Sequence, residues 1–307
     1  MKKLLLLLPL LILAGCAKES VPAEPPETTE VNGATYELEF SGNFNSSTIL
    51  HEEDWSRRDG WWIMRKDWGE SKAKNGYHLW YGAFDDNLSI EDNKLKITVR
   101  VDHDKKICSG GTIFSDKIFL MKDSMWEMRF KVPKTLAGDW LTMLLQPRTK
   151  NNDYSFPVND KITLYEITPM EGEYVQGRFR TSETIHNKDH ENDPAYTGGV
   201  DYDGESVKTE YTFEYCPNWM YTQIDDDWFD TWHTLQYIWN DDEIVLFMDG
   251  KEIQRKTKPD EIKNTDGLYA SFQIDASAAG ECFGTVDMNM PDHYFYIDYA
   301  KVWRKTK

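Results

Sequence analysis

Apolar side chains recur in this chain with a period of two, in short runs, and nowhere keep a helical period beyond about three turns. Successive residues of an extended strand point to opposite faces, so this alternation specifies strands with one face buried. It runs through KLKITVRV (94–101), MWEMRFKV (125–132), WLTMLLQ (140–146), KITLYE (161–166), YVQGRFR (174–180), WHTLQYIWN (232–240), EIVLFMDGKEI (243–253) and HYFYIDYAKVW (293–303). These segments are rich in β-branched and aromatic residues, and Gly, Asn, Asp and Pro separate them. Asp249-Gly250 marks a tight hairpin, because glycine tolerates the positive φ that such a turn requires. The chain is predicted to be all-β, a two-sheet antiparallel β-sandwich.

The first 33 residues stand outside that pattern. Met1, Lys2 and Lys3 precede an apolar run from Leu4 to Ala14, short of the roughly 20 residues that span a bilayer. It reads as a secretion signal. The run ends in Leu13-Ala14-Gly15-Cys16, which resembles a bacterial lipoprotein lipobox: small residues admit a peptidase and the Cys16 thiol takes a lipid. That resemblance implies a signal peptide over residues 1–15, lipidation of Cys16 and a membrane anchor. It places the protein in the cell envelope, at the outer membrane or cell surface of a Gram-negative bacterium. Residues 16–33 are rich in Pro, Glu and Thr, too poor in apolar groups to build a core, and form a tether. Residues 34–307 then make one domain.

Without Lys2 and Lys3 the chain holds 33 basic and 53 acidic residues, a formal charge of −20 against −18 for the whole. That balance argues against nucleic acid or an anionic bilayer as a partner held through overall charge. Cys108, Cys216 and Cys282 have no close spacing, which indicates neither a metal knuckle nor a disulfide framework; one disulfide of unspecified pairing stays open.

Four segments, in order, resemble glycoside hydrolase family 16, the laminarinase, lichenase, agarase and carrageenase group. DNLSIEDNKLKITVR is similar to that family's early strand, and FLMKDSMWEMRFKVPKTLAGDWLTMLLQP to its Gly-Trp-Pro-containing middle. DTWHTLQYIWNDDEIVLFMDGKEI resembles the family's D.FHTYA.EW pattern with its DGK hairpin, and YFYIDYAKVWR its closing strand. The resemblance covers nearly all of residues 34–307. It implies a concanavalin A-like jelly roll with a polysaccharide cleft on its concave face and no required cofactor.

The family's catalytic strand carries a Trp-Pro, then a nucleophile Glu, a helper Asp and an acid/base Glu. A retaining glycosidase needs two carboxylates roughly 5 to 5.5 Å apart, one to attack the sugar and one to protonate the leaving oxygen. FPVNDKITLYE aligns with this motif and puts Phe156 and Pro157 at the Trp-Pro, Lys161 at the nucleophile, Thr163 at the Asp and Glu166 at the acid/base. Only Glu166 keeps its carboxylate. On a regular strand i and i+5 face opposite sides, so a bulge is expected between Thr163 and Glu166. In a second register, EITPME, Glu166 is the nucleophile, Thr168 the Asp and Glu171 the acid/base. That register puts Pro169 inside a central strand, where its missing N–H costs a ladder hydrogen bond.

By the resemblance Gln176 lines the cleft, and the period-two rule brings Arg178 and Arg180 to the same face. With Lys161 they would give a cationic lining suited to carboxylate or sulfate on a glycan. Trp140 matches a cleft tryptophan, and Phe156 borders the site; Trp61, Trp62, Trp80 and Tyr81, in stretches read as irregular, are weaker candidates for stacking on sugar. Residues 181–230 read as an insertion beside the cleft. Asp298 matches the Asp with which some relatives hold a calcium ion, and His186 and His190 read as solvated rather than as zinc ligands. Three readings stay open: a membrane-tethered glycan-binding protein with lost hydrolysis, which the missing nucleophile favours, an active endo-acting glycoside hydrolase, and a structural or interaction lipoprotein.

Overall fold

The structure, a computed structural model, describes residues 27–52, 59–63, 78–83, 86–134, 136, 139–148, 162–169, 178–186, 212–213, 220–223, 228–257, 267–278 and 288–306. Twenty strands and no α-helix lie among them. They form two sheets. The back sheet is built on the last strand, His293–Lys305. Ser124–Lys131 pairs along one edge of it, while Lys94–Asp102 and Ala34–Asn43 share the other. From Ser124–Lys131 this sheet continues through His233–Trp239 and Glu243–Met248 to Lys251–Thr257. The front sheet runs Trp61–Ile63, Ile107–Ser115, Tyr269–Ala278, Asp139–Arg148, Ile162–Pro169, Arg178–His186, Met220–Gln223. A hairpin from Lys94–Asp102 to Ile107–Ser115 carries the chain from one sheet to the other.

Alternate residues of both sheets meet in one core. Leu141, Met143, Leu145, Phe272 and Ile274 of the front sheet join Trp126, Met128, Phe130, Phe295 and Ile297 of the back sheet. The ring of Trp126 meets that of Phe272 edge-on, centroids 4.8 Å apart and planes at 72°, so the sheets touch through aromatic faces. Burying each such side chain is worth roughly 1.5–3 kcal/mol. This is the all-β sandwich that the period-two pattern predicts.

Three local features show the sequence acting on the backbone. Asp249 and Gly250 both have positive φ, 53° and 75°, which is the hairpin conformation that Asp-Gly favours. On the last strand, Arg129 faces Tyr299 while Phe130 faces Ile297, which leaves Asp298 as an extra residue. That bulge shifts the phase, so Phe295 and Ile297 before it and Ala300 and Val302 after it all reach the core. At Gly110 a Cβ would sit 1.9 Å from the Ala276 carbonyl oxygen, so the close approach of Ile107–Ser115 to Tyr269–Ala278 requires glycine.

Several sequence expectations change in detail. Ile107–Ser115 and Tyr269–Ala278, both central to the front sheet, are strands that the sequence reading does not contain. Trp61 and Trp62 lie in the strand Trp61–Ile63, and Trp80 and Tyr81 in His78–Ala83, rather than in irregular chain. Residues 181–186 continue the strand Arg178–His186, and 212–213 and 220–223 pair back onto it. Cys108 is a free, fully buried thiol. Burial pushes its pKa up to about 11, which makes it inert. Cys216, Cys282 and Cys16 lie outside the described residues.

Candidate functional site

The front sheet has the core on one side and a polar face on the other. Along Tyr269–Ala278, Ala270, Phe272, Ile274 and Ala276 enter the core, while Ser271, Gln273, Asp275 and Ser277 alternate with them. Asp139–Arg148 repeats the pattern, with Leu141, Met143 and Leu145 inward and Thr142, Leu144 and Gln146 on the other face. Register then lines positions up across five strands. Thr112, Asp275, Thr142, Glu166 and Ser182 form one row, and Phe114, Gln273, Leu144, Thr163 and Thr184 the next. Trp62 extends the second row and stacks on Phe114, with ring centroids 4.0 Å apart and planes at 7°.

Thr163 and Glu166 reach adjacent rows because the ladder slips between them. Three steps along their strand match the two steps from Thr184 to Ser182. In an unbroken strand these positions would fall on opposite faces; one extra residue, a β-bulge, returns them to the same one. Ser182 pairs with Glu166 and Arg180 with Thr168, so by period two Arg180 and Arg178 fall on the face of Glu166. Trp140 pairs with Ser277 and keeps the phase of Thr142. Pro169 is paired with Phe179 as the last residue of its strand, the position where a missing N–H disturbs the ladder least. Lys161, Phe156, Glu171 and Gln176 lie outside the described residues.

The described side chains of this face are oriented and buried. Gln146 Nε2 donates to Gln273 Oε1 at 2.6 Å, and Gln273 Nε2 donates to Asp275 Oδ2 at 2.8 Å. This relay sets both amides and aims the Asp275 carboxylate. Thr142 stands opposite Asp275, and Ser277 two residues along its strand. The hydroxyls of both are buried and have no hydrogen-bond partner among the described residues. An unmet buried hydroxyl costs on the order of 1–3 kcal/mol, which calls for an explanation such as a ligand group that completes it. Thr142 is 1% and Asp275 3% exposed, so the floor is shielded from bulk water.

At the start of Asp139–Arg148 a buried ion pair fixes the strand that carries Trp140. His293 Nε2 donates to Asp139 Oδ1 at 2.8 Å and its Nδ1 to the Pro291 carbonyl at 3.0 Å, while Asp139 Oδ2 accepts from the Leu136 N–H at 2.6 Å. Burial alone would lower the His293 pKa. The hydrogen bond and charge of Asp139 outweigh it, and the net direction is upward. The imidazole that donates from both nitrogens is the protonated one.

Other candidates are placed elsewhere. Trp61 belongs to the core, between Phe44 and Phe272. Asp298 Oδ2 accepts from Arg129 Nη1 at 2.5 Å, so a guanidinium supplies the positive charge that a calcium ion would bring. Among the described residues no three of His, Cys, Asp and Glu gather as a metal site. His186 ends its strand opposite Thr212, and His190 lies outside the described residues.

No protein-family model matches the chain, and no curated protein matches it. Solved structures do. An endo-β-1,3-glucanase from Pyrococcus furiosus matches with a TM-score of 0.59 at 17% identity, covering 92% of this chain and 100% of that one. The Bacteroides ovatus mixed-linkage glucan family 16 glycoside hydrolase in complex with G4G4G3G product matches with a TM-score of 0.55 at 17% identity, covering 86% and 99%. An immunostimulatory antigen and pseudo-β-1,3-glucanase of Mycobacterium tuberculosis matches with a TM-score of 0.58 at 13% identity, covering 88% and 99%. The fold is a glycoside hydrolase family 16-like jelly roll. Its front sheet supplies Asp275, Gln273, Thr142 and Ser277, which the sequence reading misses. The strict alternation of YASFQIDASA is the signal that would have found them.

Proposed function

We propose that this protein holds a β-glucan-type polysaccharide, or a related galactan, against the polar face of the front sheet, without the retaining cleavage of family 16 glycoside hydrolases. The observation that carries the reading is the assembly of the two rows. Asp275 and the position of Glu166 flank Thr142, whose buried hydroxyl has no hydrogen-bond partner among the described residues, and the buried, stacked Trp62–Phe114 pair closes the next row. Sugar hydroxyls both donate and accept hydrogen bonds, and sugar CH faces pack on aromatic rings. Retaining chemistry needs a second carboxylate roughly 5 to 5.5 Å from the acid. The aligned motif offers Lys161 and Thr163, and a lysine is protonated at neutral pH unless strongly desolvated. Arg178 and Arg180 extend the specificity to glycans with anionic substituents. The structural neighbours support this reading, since the same architecture occurs in β-glucanases and in a pseudo-β-1,3-glucanase.

Asp275 favours a second reading. It lies in the row of Glu166, two strands away, a backbone separation of about 9.6 Å. Inverting glycosidases hold their two carboxyl groups roughly 6.5–9.5 Å apart, a distance that side chains leaning toward each other from backbones this far apart would reach, and with Glu166 as acid and Asp275 as base the protein would be an inverting hydrolase. Affinity gels and reducing-end assays on laminarin, mixed-linkage β-glucan, galactan and sulfated galactan separate the two. Retardation without release of reducing ends is the expected result, and release abolished by Glu166→Gln or Asp275→Asn establishes the hydrolase instead. Neither retardation nor release leaves a structural or interaction lipoprotein.

The proposal includes a membrane anchor at Cys16, with residues 16–33 as a tether for the 34–307 domain; the lipobox resemblance supports it. Cys16→Ser is expected to shift the protein from the membrane to the soluble fraction, and unchanged fractionation would contradict the anchor.

A further inference from the structure

The outer face of the back sheet carries a row that the glycan-binding reading of the front sheet does not use. Lys96, Tyr296 and Lys131 stand opposite one another on three adjacent strands. Trp232 follows on the fourth, one residue before His233, the partner of Phe130. Cation and ring alternate over three strand spacings, about 14 Å. Lys131 Nζ lies 4.8 Å from the Tyr296 ring centroid and 5.7 Å from that of Trp232. Arg129 and Lys94 approach the same indole to 5.0 and 5.9 Å. Lys96 Nζ lies 4.2 Å from the ring of Tyr294, which is 38% exposed.

The carboxylates of this patch do not pair with all of its cations. Glu91 pairs with Lys96 and Asp298 with Arg129, while Asp230 acts on Tyr296. Lys94 Nζ donates to the neutral carbonyl of Asp92. Lys131 has no carboxylate partner among the described residues. With the Asp92 carboxylate beside Lys94 counted as well, four cations meet four carboxylates, and Lys94 and Lys131 are the two cations without a salt-bridge partner among the described residues. Two lysines without carboxylate partners, set among three aromatic rings, suit a ligand with both apolar CH faces and anionic groups.

We infer that this row is a second glycan-binding surface, for a polysaccharide bearing carboxylate or sulfate groups. Tyr294, Tyr296 and Trp232 pack against the sugar, and Lys94 and Lys131 take the anionic substituents. An anionic bilayer is the poorer fit. The patch offers aromatic rings but no cluster of exposed aliphatic side chains to insert, and the overall negative charge repels such a surface.

Affinity electrophoresis of the full-length protein in detergent, with κ-carrageenan, polygalacturonate or laminarin in the gel, tests this surface. At least one anionic polymer is expected to retard the wild type. Which one does so distinguishes sulfate from carboxylate. Lys131→Glu is expected to weaken that retardation at least about fivefold at low salt and to leave laminarin retardation unchanged. Lys131 is half-buried on the outer face, away from the core, so Lys131→Glu spares the core, and Trp232→Ala checks the ring. Undiminished retardation in both variants overturns the inference, as does retardation by neither anionic polymer. A parallel loss on laminarin also overturns it, by placing the contact on the front sheet. Capture by phosphatidylglycerol vesicles in place of either polymer would assign the patch to a membrane. The comparison on anionic polymers stands even where laminarin is not bound at all.

Discussion

The two sheets share a core and use their outer faces in opposite ways. At one end the back sheet buries a second apolar cluster, Tyr36, Met125, Ile238, Val245, Phe247 and Trp303, and beyond it exposes rings and paired charges to water. The outer face of the front sheet is buried yet polar, with Thr142, Gln146, Gln273, Asp275 and Ser277 all at most 5% exposed. Burying apolar surface stabilises a sheet, whereas burying hydroxyls without partners costs. The back sheet therefore carries stability on both faces, and the front sheet gives up some of it to hold polar groups in fixed positions. That difference is what supports the proposed glycan-binding reading of the front face.

The largest effect is expected where the sheets join. Trp126→Ala removes the ring that meets Phe272, and large-to-small changes of this kind cost about 3–5 kcal/mol. Thermal or denaturant unfolding checks it, and binding on both faces should fall together with the folded fraction. A loss of one face alone would show that the sheets are not coupled through this contact.

Asp139→Asn is expected to come next, at about 3 kcal/mol, because it breaks a buried pair with His293. Its sign can be read by pH. Since the folded His293 pKa is raised, the pair contributes fully below the unfolded value near 6.5 and loses its contribution as pH rises through the folded value. Unfolding measured across that window should show stability falling with pH in the wild type, and in Asp139→Asn, where burial of His293 is no longer outweighed by the carboxylate, the slope should vanish or reverse. An unchanged slope would mean that another group titrates there.

Thr142→Val is the smallest change and the sharpest contrast. Removing a hydroxyl that has no partner among the described residues should leave stability equal or raise it by about 1 kcal/mol while it weakens polysaccharide binding. Lower stability with unchanged binding would make Thr142 a structural residue.

Part of the back sheet is legible because MWEMRFKV sets large inward residues, Trp126, Met128 and Phe130, against charged outward ones, Glu127, Arg129 and Lys131. WHTLQYIWN and EIVLFMDGKEI place apolar residues on both faces and are legible by their β-branched and aromatic content and the Asp-Gly hairpin; the strands of MWEMRFKV and WHTLQYIWN fall within about one residue of the expected limits, whereas EIVLFMDGKEI divides into Glu243–Met248 and Lys251–Thr257. The front sheet is harder to read. In ICSGGTIFS both faces are buried and two glycines break the pattern, and in YASFQIDASA the inward set includes two alanines and the outward set is small and uncharged apart from Asp275. Low contrast hid the strand that supplies Asp275. The lattice of rows was beyond the sequence as well, because it depends on a register shift between Thr163 and Glu166 and on pairing across strands over a hundred residues apart.

A front sheet that recognises a polysaccharide but carries an altered motif should bind without cleaving. Reducing-end release from laminarin and mixed-linkage β-glucan by the unmodified protein, at concentrations where affinity gels show retardation, tests it most directly. Retardation with no release above the enzyme-free rate is the expected result. Sustained release that Glu166→Gln or Asp275→Asn abolishes would contradict it and make the protein a hydrolase.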